Sequence, residues 1–294
     1  MKNTLLFMTA TMIMFATACR NQAPRETAEP AMPAIGTACD GISQMEGNDG
    51  MRLIGLTDIE NEMSIDLFRG SYNDSLLNTL MPDGATRSAI NAFLAIDARH
   101  NNTILFDAGL GADKGGRLLE QMKKVGVEPS AVTVVCLTHL HADHIGGLLT
   151  DGQATFPNAN LYLSREEYEA WGDQGTLVEK NGLWKQVMEA YKGRIVTFRD
   201  GERLFEGKVV AELAPGHTPG HTVFAVDSIC LVAGDLLHAQ KLQLEHPQFC
   251  ARYDMDPAQA TATRQRILDR LRTNRGCFLA GAHCYEHFID LYEN

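Results

Sequence analysis

Short apolar runs bounded by turn residues alternate along the chain with stretches in which apolar residues recur every three or four positions. The first pattern is typical of buried strands, and the second is typical of helices that cover a core. The runs that we expect to be strands read AINAFLAID and NTILFDAG on either side of the turn ARHN, then AVTVVCLTH, VVAELA, SICLVAGD and CFLAGAH. This alternation predicts the α/β fold class, as one layered domain with its site at one edge of the sheets.

Helix boundaries can be read from capping residues. The segment DKGGRLLEQMKKVG has apolar residues at helical spacing and ends at a glycine. Ser164 followed by Glu167 three positions later forms a capping box, which predicts a helix that ends near Trp171. Asp256 as the cap and Pro257 in the first turn predict the start of a long final helix.

The N-terminus is typical of an exported protein. Lys2 is followed by an apolar run from Leu5 and by small residues before Cys19. The run is too short for a stable membrane span, so we predict a signal peptide over residues 1–18. The sequence ATAC at its end is similar to a bacterial lipobox, which predicts a lipoprotein of the bacterial cell envelope, in the periplasm or at the outer membrane. Simple secretion and an uncleaved anchor helix are the alternatives.

The segment after this signal is rich in Ala, Pro and Gly and has no sustained periodicity. We therefore predict that residues 19–50 comprise a lipidated Cys19 and a flexible tether, and that residues 51–294 form a single folded domain. With 45% hydrophobic and 21% charged residues, the composition is that of a globular protein. The net charge of -11 offers no basic surface for a phosphate backbone, so we expect no nucleic-acid partner.

The stretch HLHADH concentrates metal-ligand residue types at the end of a predicted strand. Its candidate ligands are His139, His141, Asp143 and His144. Imidazole and carboxylate groups at this density suit zinc. Because alternate residues of a strand point the same way, His139 and His141 can bind one ion, while Asp143 and His144 beyond the turn can reach a second.

Three further candidates each follow an apolar strand. They are His217 in APGHTPGHT, Asp235 in LVAGDLLH and His283 in LAGAH. Together with the first cluster they provide five histidines and two aspartates, which is sufficient for two adjacent metal ions.

With these motifs in order, the chain resembles the metallo-β-lactamase superfamily of metallohydrolases over residues 51–294. The resemblance rests on ILFDAG, THLHADH, PGHTPGH, AGD and GAH. It implies an αββα sandwich and two Zn²⁺ ions per subunit, with one ion on His139, His141 and His217, the other on Asp143, His144 and His283, and Asp235 bridging them. It also implies that Asp107 braces the ligand loop and that His221 is structural.

Within the superfamily the chain looks most like the methyl parathion hydrolase-like and quorum-quenching lactonase group, whose members hydrolyse phosphotriesters, aryl esters and lactones. True β-lactamases lack the aspartate found here as Asp235, and the flavodiiron branch has glutamate in place of His141. Lactonases carry a tyrosine three residues after the bridging aspartate, where this chain has His238. That histidine either donates a hydrogen bond to the substrate or has a structural role in its loop. The ending HCYEHFIDLYEN also departs from the group's usual Pro-Phe-Pro turn and closing strands.

The resulting hypothesis is an exported zinc-dependent hydrolase that cleaves an ester or lactone, and also phosphotriesters, by a metal-bridging hydroxide. Asp143, Asp235 and His238 are its candidate catalytic residues. A glyoxalase II-like thioesterase, a mononuclear iron dioxygenase and a non-catalytic surface lipoprotein remain alternatives. We expect a small-molecule substrate, membrane contact only through the lipid anchor, and allow for a homodimer. Aromatic residues expected either over the metals or in the core are Phe156, Trp171, Phe249 and Tyr253, and Cys284 is expected to point away from the metals.

Overall fold

A computed structural model of the protein describes residues 35–47, 50–172, 175, 177 and 182–292. The predicted signal peptide and Cys19 lie outside these residues. The strands, in chain order, are β1 Ile35–Cys39, β2 Ile42–Glu46, β3 Arg52–Ser64, β4 Ala85–Asp97, β5 Asn102–Phe106, β6 Val134–Cys136, β7 Leu149–Thr150, β8 Gln153–Ala154, β9 Asn160–Ser164, β10 Ile195–Phe198, β11 Arg203–Leu204, β12 Val209–Leu213, β13 Thr222–Val226, β14 Cys230–Gly234, β15 Phe278–Gly281 and β16 Ile289–Asp290. The α-helices are α1 Asp74–Leu80, α2 Leu118–Lys124, α3 Ala142–Ile145, α4 Arg165–Trp171, α5 Gly182–Ala190, α6 Gln240–Glu245 and α7 Pro257–Arg272.

The strands form two large sheets and one short hairpin. The first sheet has eight strands in the order β1-β2-β3-β4-β5-β6-β9-β10, and the second has six in the order β11-β12-β13-β14-β15-β16. Strands β5, β6, β9 and β10 pair in parallel, and so do β14 and β15, whereas the other pairs are antiparallel. Strands β7 and β8 form the hairpin.

The two sheets pack face to face, with helices on both outer faces. Alternate residues of β5 show the arrangement, because Phe106 faces Phe224 of the second sheet while Leu105 belongs to the cluster under the helices. Helices α2, α4 and α5 cover the first sheet, and α7 covers the second through Ile267 and Leu268. Because both faces of each sheet are buried, the strands read as continuous apolar runs. The layers confirm the αββα sandwich.

The domain begins earlier than residue 51, which corrects the predicted extent of the tether. Strand β2 pairs with β3 from Ile42 to Glu46, and the side chains of Ile42 and Met45 are buried. The segment ISQME has only two apolar residues in five, so it shows no clear periodicity by itself. Its strand conformation depends on the edge of the long strand β3, which supplies the backbone hydrogen bonds.

The predicted helix starts are confirmed at two caps. The Ser164 hydroxyl accepts a hydrogen bond from the Glu167 backbone N–H, and the Asp256 carboxylate accepts one from Gln259. Helix α2 begins only at Leu118, because Gly115 has a left-handed φ of 90° that ends the preceding turn.

Strand β16 closes the second sheet against β15, so a closing strand is present despite the atypical ending. Cys284 is buried in the cluster beneath α7, as expected for a side chain directed away from the site. Within the described ranges, every helix is too short or too polar to cross a membrane.

Candidate metal centre

All seven predicted ligands converge at one edge of the sandwich. Four follow β6, two of them in the turn that leads into α3 and two within α3, and the others lie on the loops after β12, β14 and β15. Their ligand atoms form several groups, and within each group all the atoms lie within 4.8 Å of one another. The seven residues are His139, His141, Asp143, His144, His217, Asp235 and His283.

We call the first group half-site A, which comprises His139, His141 and His217. The Nδ1 atom of His141 lies 3.0 Å from Nε2 of His139 and 2.9 Å from Nε2 of His217, and the two Nε2 atoms are 3.2 Å apart. Ligands at about 2.0–2.1 Å from a tetrahedral zinc ion stand about 3.3 Å apart. The three nitrogens are therefore spaced as ligands of one ion.

We call the second group half-site B, which comprises Asp143, His144 and His283. Oδ2 of Asp143 lies 3.5 Å from Nε2 of His283 and 3.7 Å from Nε2 of His144. Asp235 stands between the half-sites, since its Oδ2 is 3.1 Å from Nε2 of His217 and its Oδ1 is 3.0 Å from Nε2 of His144. This placement suits a carboxylate that bridges two ions.

Unsatisfied buried atoms test whether a metal fits. Nε2 of His144 and Oδ1 of Asp235 are buried and, although they lie 3.0 Å apart, neither makes a hydrogen bond of acceptable geometry with any described residue. Buried polar atoms without partners are rare in native proteins, and a cation would satisfy both. Imidazole and carboxylate are also the donors that zinc and similar ions prefer. The residues therefore fit an ion in each half-site.

Outer contacts orient the histidine rings. The contacts are Nδ1 of His139 with Oγ1 of Thr138 at 3.0 Å, Nδ1 of His144 with Oδ2 of Asp107 at 2.8 Å, Nδ1 of His217 with Oδ1 of Asp254 at 3.1 Å, and Nδ1 of His283 with the Ala89 carbonyl at 2.8 Å. Each contact uses the nitrogen that faces away from the centre, so Nε2 is left to bind an ion.

Asp107 and His221 lie where the family resemblance assigned them. The Asp107 carboxylate accepts hydrogen bonds from the backbone N–H and the hydroxyl of Thr138, which precedes the first ligand. The His221 ring accepts one from the backbone N–H of Asp235 and contacts the Ala214 carbonyl. Both residues hold ligand-bearing loops without entering either half-site.

Burial and charge set the protonation of the cluster. Burial lowers the pKa of His139 well below its usual value and lowers that of His141 to about 4, so both rings are neutral and able to bind metal. Burial alone would raise the pKa of Asp235, but the surrounding histidines, His283 first, hold it well below its usual value. Burial alone would lower the pKa of His144, His217 and His283, but nearby carboxylates, Asp235 first, raise it, to about 9 for His217. The metal-free centre therefore presents an ionised carboxylate beside two neutral imidazoles and three that hold a proton more tightly, which a metal ion has to displace.

His238 is fully buried against the centre. Its Nε2 lies 3.3 Å from Oδ2 of Asp235, and its ring stacks on His283 with centroids 5.4 Å apart. In the described part of the chain it is not among the residues that line the cavity over the metals. Of the two roles considered for His238, this geometry favours the structural one.

A cavity of about 1100 Å³ opens over the half-sites. His141, Asp143, Asp235 and His283 form its polar floor. Its walls carry mainly apolar side chains, with Glu62, Arg252 and Asp254 as charged members; the apolar and aromatic ones include Met63, Leu67, Ile90, Trp171, Tyr253 and Met255. Of the four aromatic residues considered in the sequence, Trp171 and Tyr253 thus line the cavity, whereas Phe156 and Phe249 are core residues.

Sequence reasoning missed three residues that support the centre. Asp254 contacts His217, and the buried Arg264 contacts Asp254. Glu167, interpreted as a capping residue, directs its carboxylate at the ligand loops instead. The capping box was a signal for the helix start only, and nothing in the local sequence distinguishes Asp254 from a surface aspartate near a helix cap.

Comparisons with known proteins agree with this geometry. The profile of the family described as the metallo-beta-lactamase superfamily matches residues 85–279. Among solved structures, a hydrolase named AbOPH in the beta lactamase superfamily superposes with a TM-score of 0.75 at 27% identity, over 86% of this chain and 93% of that one. AidC, described as a dizinc quorum-quenching lactonase in complex with a product, superposes with a TM-score of 0.72 at 25% identity, over 84% and 92%.

Curated relatives match a shorter segment. The N-acyl homoserine lactonase AttM of Agrobacterium fabrum is 32% identical over 124 residues, which are 39% of this chain and 43% of that protein. The N-acyl homoserine lactonase AiiA of Bacillus thuringiensis subsp. kurstaki is 27% identical over 112 residues, or 38% and 40%. The match therefore spans about two fifths of the length of these two relatives.

Proposed function

Because the chain belongs to the metallo-beta-lactamase superfamily, we propose that it is a metal-dependent hydrolase that opens lactone rings. The observation that carries the proposal is Asp235, which stands between two groups of mostly buried candidate ligands at the floor of a large cavity. A carboxylate shared by two adjacent half-sites is suited to hold two ions close to one substrate bond.

We propose Zn²⁺ as the ion, with two per subunit. Half-site A would hold one ion and half-site B the other, with Asp235 shared. Ions bound in such a centre supply a water-derived nucleophile near neutral pH and polarise the carbonyl under attack. The donor set of five histidines and two aspartates supports zinc, which takes nitrogen and oxygen ligands readily.

The two aspartates have different surroundings, which supports different roles. The side chain of Asp143 is 28% exposed and faces the cavity, whereas that of Asp235 is 4% exposed and enclosed by histidines. We assign Asp143 to accept a proton from the attacking water and return it to the leaving oxygen, because it is the more accessible of the two candidate ligand carboxylates that line the cavity. Asp235 is assigned to fix the spacing of the half-sites.

The walls of the cavity support a substrate with an apolar chain. Met63, Leu67 and Met255 lie above the polar floor, so a lactone held at the ligands would extend its acyl group along them. AttM and AiiA are N-acyl homoserine lactonases, and AidC is a quorum-quenching lactonase. We therefore propose N-acyl homoserine lactones as the first substrates to test, with aryl esters and phosphotriesters as secondary ones.

The experiment is a hydrolysis screen on protein of measured metal content. Lactones, aryl esters, thioesters and phosphotriesters are offered to the same preparation, and metals are quantified by mass spectrometry. We expect two zinc ions per chain and the highest kcat/KM on lactones. A preference for thioesters would favour the glyoxalase II-like alternative, a single iron ion with oxygen consumption would favour a dioxygenase, and the absence of bound metal would favour a non-catalytic lipoprotein.

We also propose export, with residues 1–18 as the signal and Cys19 as the lipidated residue. The support is the sequence pattern alone, since these residues lie outside the described ranges. Mass spectrometry of the mature N-terminus tests lipidation, and Cys19→Ser is expected to move the protein from the membrane fraction to the soluble fraction. A homodimer stays a prediction that sedimentation would test.

A further inference from the structure

Glu167 on α4 is a fully buried carboxylate that accepts four hydrogen bonds. Oε1 accepts from the backbone N–H of Leu140 at 3.1 Å and from the indole N–H of Trp171 at 2.7 Å. Oε2 accepts from the hydroxyl of Thr218 at 2.8 Å and from the backbone N–H of Gly220 at 2.9 Å. Since all four partners are donors, the site is built for an ionised carboxylate rather than for a neutral group.

Three of the four donors belong to the segments that carry half-site A, and the fourth, Trp171, lies on α4 itself. Leu140 lies between the ligands His139 and His141, and Thr218 directly follows the ligand His217. Trp171 lines the cavity and packs edge-on against the His141 ring, with centroids 5.8 Å apart. One side chain thus contacts both loops of a half-site and one wall of the cavity above it.

The loop after His217 is docked closely on the first turn of α4. The Ser164 hydroxyl donates to the Gly220 carbonyl at 2.7 Å. A Cβ atom at Gly220 would stand 2.1 Å from the backbone nitrogen of Glu167, so only glycine permits this approach. The loop therefore has little freedom to move independently of Glu167.

Half-site B is held by other contacts. His144 is oriented by Asp107, and His283 by the Ala89 carbonyl, so Glu167 contacts neither ring. The supports of the two half-sites are therefore largely separate, although Asp235 is common to both.

From these contacts we propose that Glu167 is a positioning residue that fixes the three imidazoles of half-site A relative to one another and couples them to Trp171. The inference rests on the proposed metal-dependent function. The consequence is an asymmetry between the half-sites. Loss of the Glu167 carboxylate lowers the affinity of half-site A for its ion and leaves the affinity of half-site B unchanged.

The test measures metal affinity rather than turnover. Zn²⁺ is titrated into the metal-free full chain against a competing chelator for the wild type, for Glu167→Gln and for the control Glu166→Gln, which changes the exposed neighbour on the same helix. Glu167→Gln is expected to weaken one ion about 10- to 100-fold, as loss of an outer-sphere partner does. The second ion and both ions of the control are expected to stay within about twofold of wild type.

Trp171 provides an independent readout. The chain has two tryptophans, so Trp184→Phe leaves Trp171 as the reporter beside His141. In that background, filling half-site A is expected to change the fluorescence of Trp171, and Glu167→Gln is expected to shift this change to higher Zn²⁺ concentration by the same factor. Thr218→Val removes one donor without removing the carboxylate and is expected to weaken the same ion about three- to tenfold. Thr218→Val therefore provides the same test if Glu167→Gln does not fold.

Several outcomes would overturn the inference. Unchanged Zn²⁺ affinities in Glu167→Gln and Thr218→Val would overturn it. An equal loss of affinity at both half-sites, together with a lower urea stability of the metal-free chain, would also overturn it, because that pattern indicates general destabilisation. Wild-type protein that binds no ion would overturn the proposed function and this inference together. Wild-type protein that binds two ions while Glu167→Gln binds them as tightly would overturn the inference alone.

Discussion

The Nδ1 atom of His217 lies 3.1 Å from Oδ1 of Asp254, a buried carboxylate whose other oxygen contacts the Arg264 guanidinium at 3.0 Å. Arg264 is 1% exposed and also donates to the carbonyls of Leu236, Pro247 and Phe249. A residue in the middle of α7 therefore connects the ligand His217 to the loops around the cavity. Because Asp254 fixes the orientation of the His217 ring, this connection supports half-site A through contacts separate from those of Glu167.

Arg264→Met is expected to destabilise the metal-free chain by about 3–5 kcal/mol, because it leaves the Asp254 carboxylate buried without its cation. Urea unfolding in the presence of a chelator measures the loss. Arg266→Met on the same helix is the control, since Arg266 is half exposed in its ion pair with Glu212 and its loss is expected to cost less than about 1 kcal/mol. Equal losses in the two variants would show that the Arg264 contacts contribute no more than a surface pair.

His287 is expected to make the chain less stable in acid. Burial lowers the pKa of its ring to about 4, below the value of about 6.5 in an unfolded chain. The folded state therefore disfavours the protonated ring. The contribution of the neutral His287 ring to the free energy of unfolding is full above pH 6.5 and falls as the pH drops from 6.5 through 4. Between pH 7 and pH 4 the His287 ring is expected to lower the free energy of unfolding of the wild type by an amount on the order of 3 kcal/mol, and His287→Gln is expected to remove this decrease.

Urea unfolding of the metal-free wild type and of His287→Gln across this pH range gives the comparison, because the other histidines titrate in both proteins. Parallel pH profiles would mean that the His287 ring is protonated as easily in the folded chain as in the unfolded one. The ring also contacts the Thr57 hydroxyl at 2.9 Å, so the variant is expected to be less stable than wild type at pH 8.

Met255 is expected to favour substrates with long acyl chains. It lines the cavity and is 40% exposed, so an acyl chain can cover it. At about 0.8 kcal/mol for each buried methylene, loss of contact with two methylenes corresponds to about a tenfold lower kcat/KM. Met255→Asp is therefore expected to lower kcat/KM for decanoyl homoserine lactone about tenfold and for the butanoyl compound less than about twofold.

Val196→Asp is the matched control, because Val196 is 38% exposed and lies on β10. It is expected to leave kcat/KM unchanged for both lactones. A uniform decrease in Met255→Asp for both chain lengths would place the acyl group elsewhere in the cavity.

Metal removal is expected to lower the free energy of unfolding. Ions that bind only the folded chain stabilise it by mass action, by about 2.7 kcal/mol for each site at a free concentration of 100 times Kd. Urea unfolding with a chelator and with added Zn²⁺ measures this difference in the free energy of unfolding. Asp235→Asn is expected to reduce the difference, because it removes the negative charge that the two half-sites share. Identical stability with and without Zn²⁺ would contradict a metal centre formed by these residues.

The sequence alone was sufficient to predict that the seven candidate ligands lie together, because they follow apolar strands and parallel or adjacent strands bring their ends to one edge. His217, Asp235 and His283 were found in this way although nearly 150 residues separate the first ligand from the last. The strand and helix pattern predicted only a layered α/β domain, and the αββα sandwich was implied by the family resemblance. Strands buried on both faces, such as β5 with Leu105 and Phe106 on opposite sides, agree with it.

Asp107 and His221 were expected from the family resemblance, but the other supports of the centre could not be predicted, because their partners are set by tertiary structure. Glu167 has the spacing of a capping box, yet its carboxylate receives donors from residues 140 and 220, which are distant in sequence. Strand β2 likewise shows too little periodicity to be recognised without its partner β3. His238 was considered for substrate contact from its position after Asp235, and only the packing of its ring against His283 shows that it is enclosed.

The most direct measurement of the central claim is acid release from an N-acyl homoserine lactone, followed by pH-stat on protein of known zinc content. Opening the lactone produces one carboxylic acid for each ring. We predict that wild-type protein with two zinc ions releases acid in stoichiometric amount, and that Asp235→Ala lowers kcat/KM at least about a hundredfold as its zinc content falls. Wild-type protein that carries two zinc ions and opens no lactone would contradict the claim.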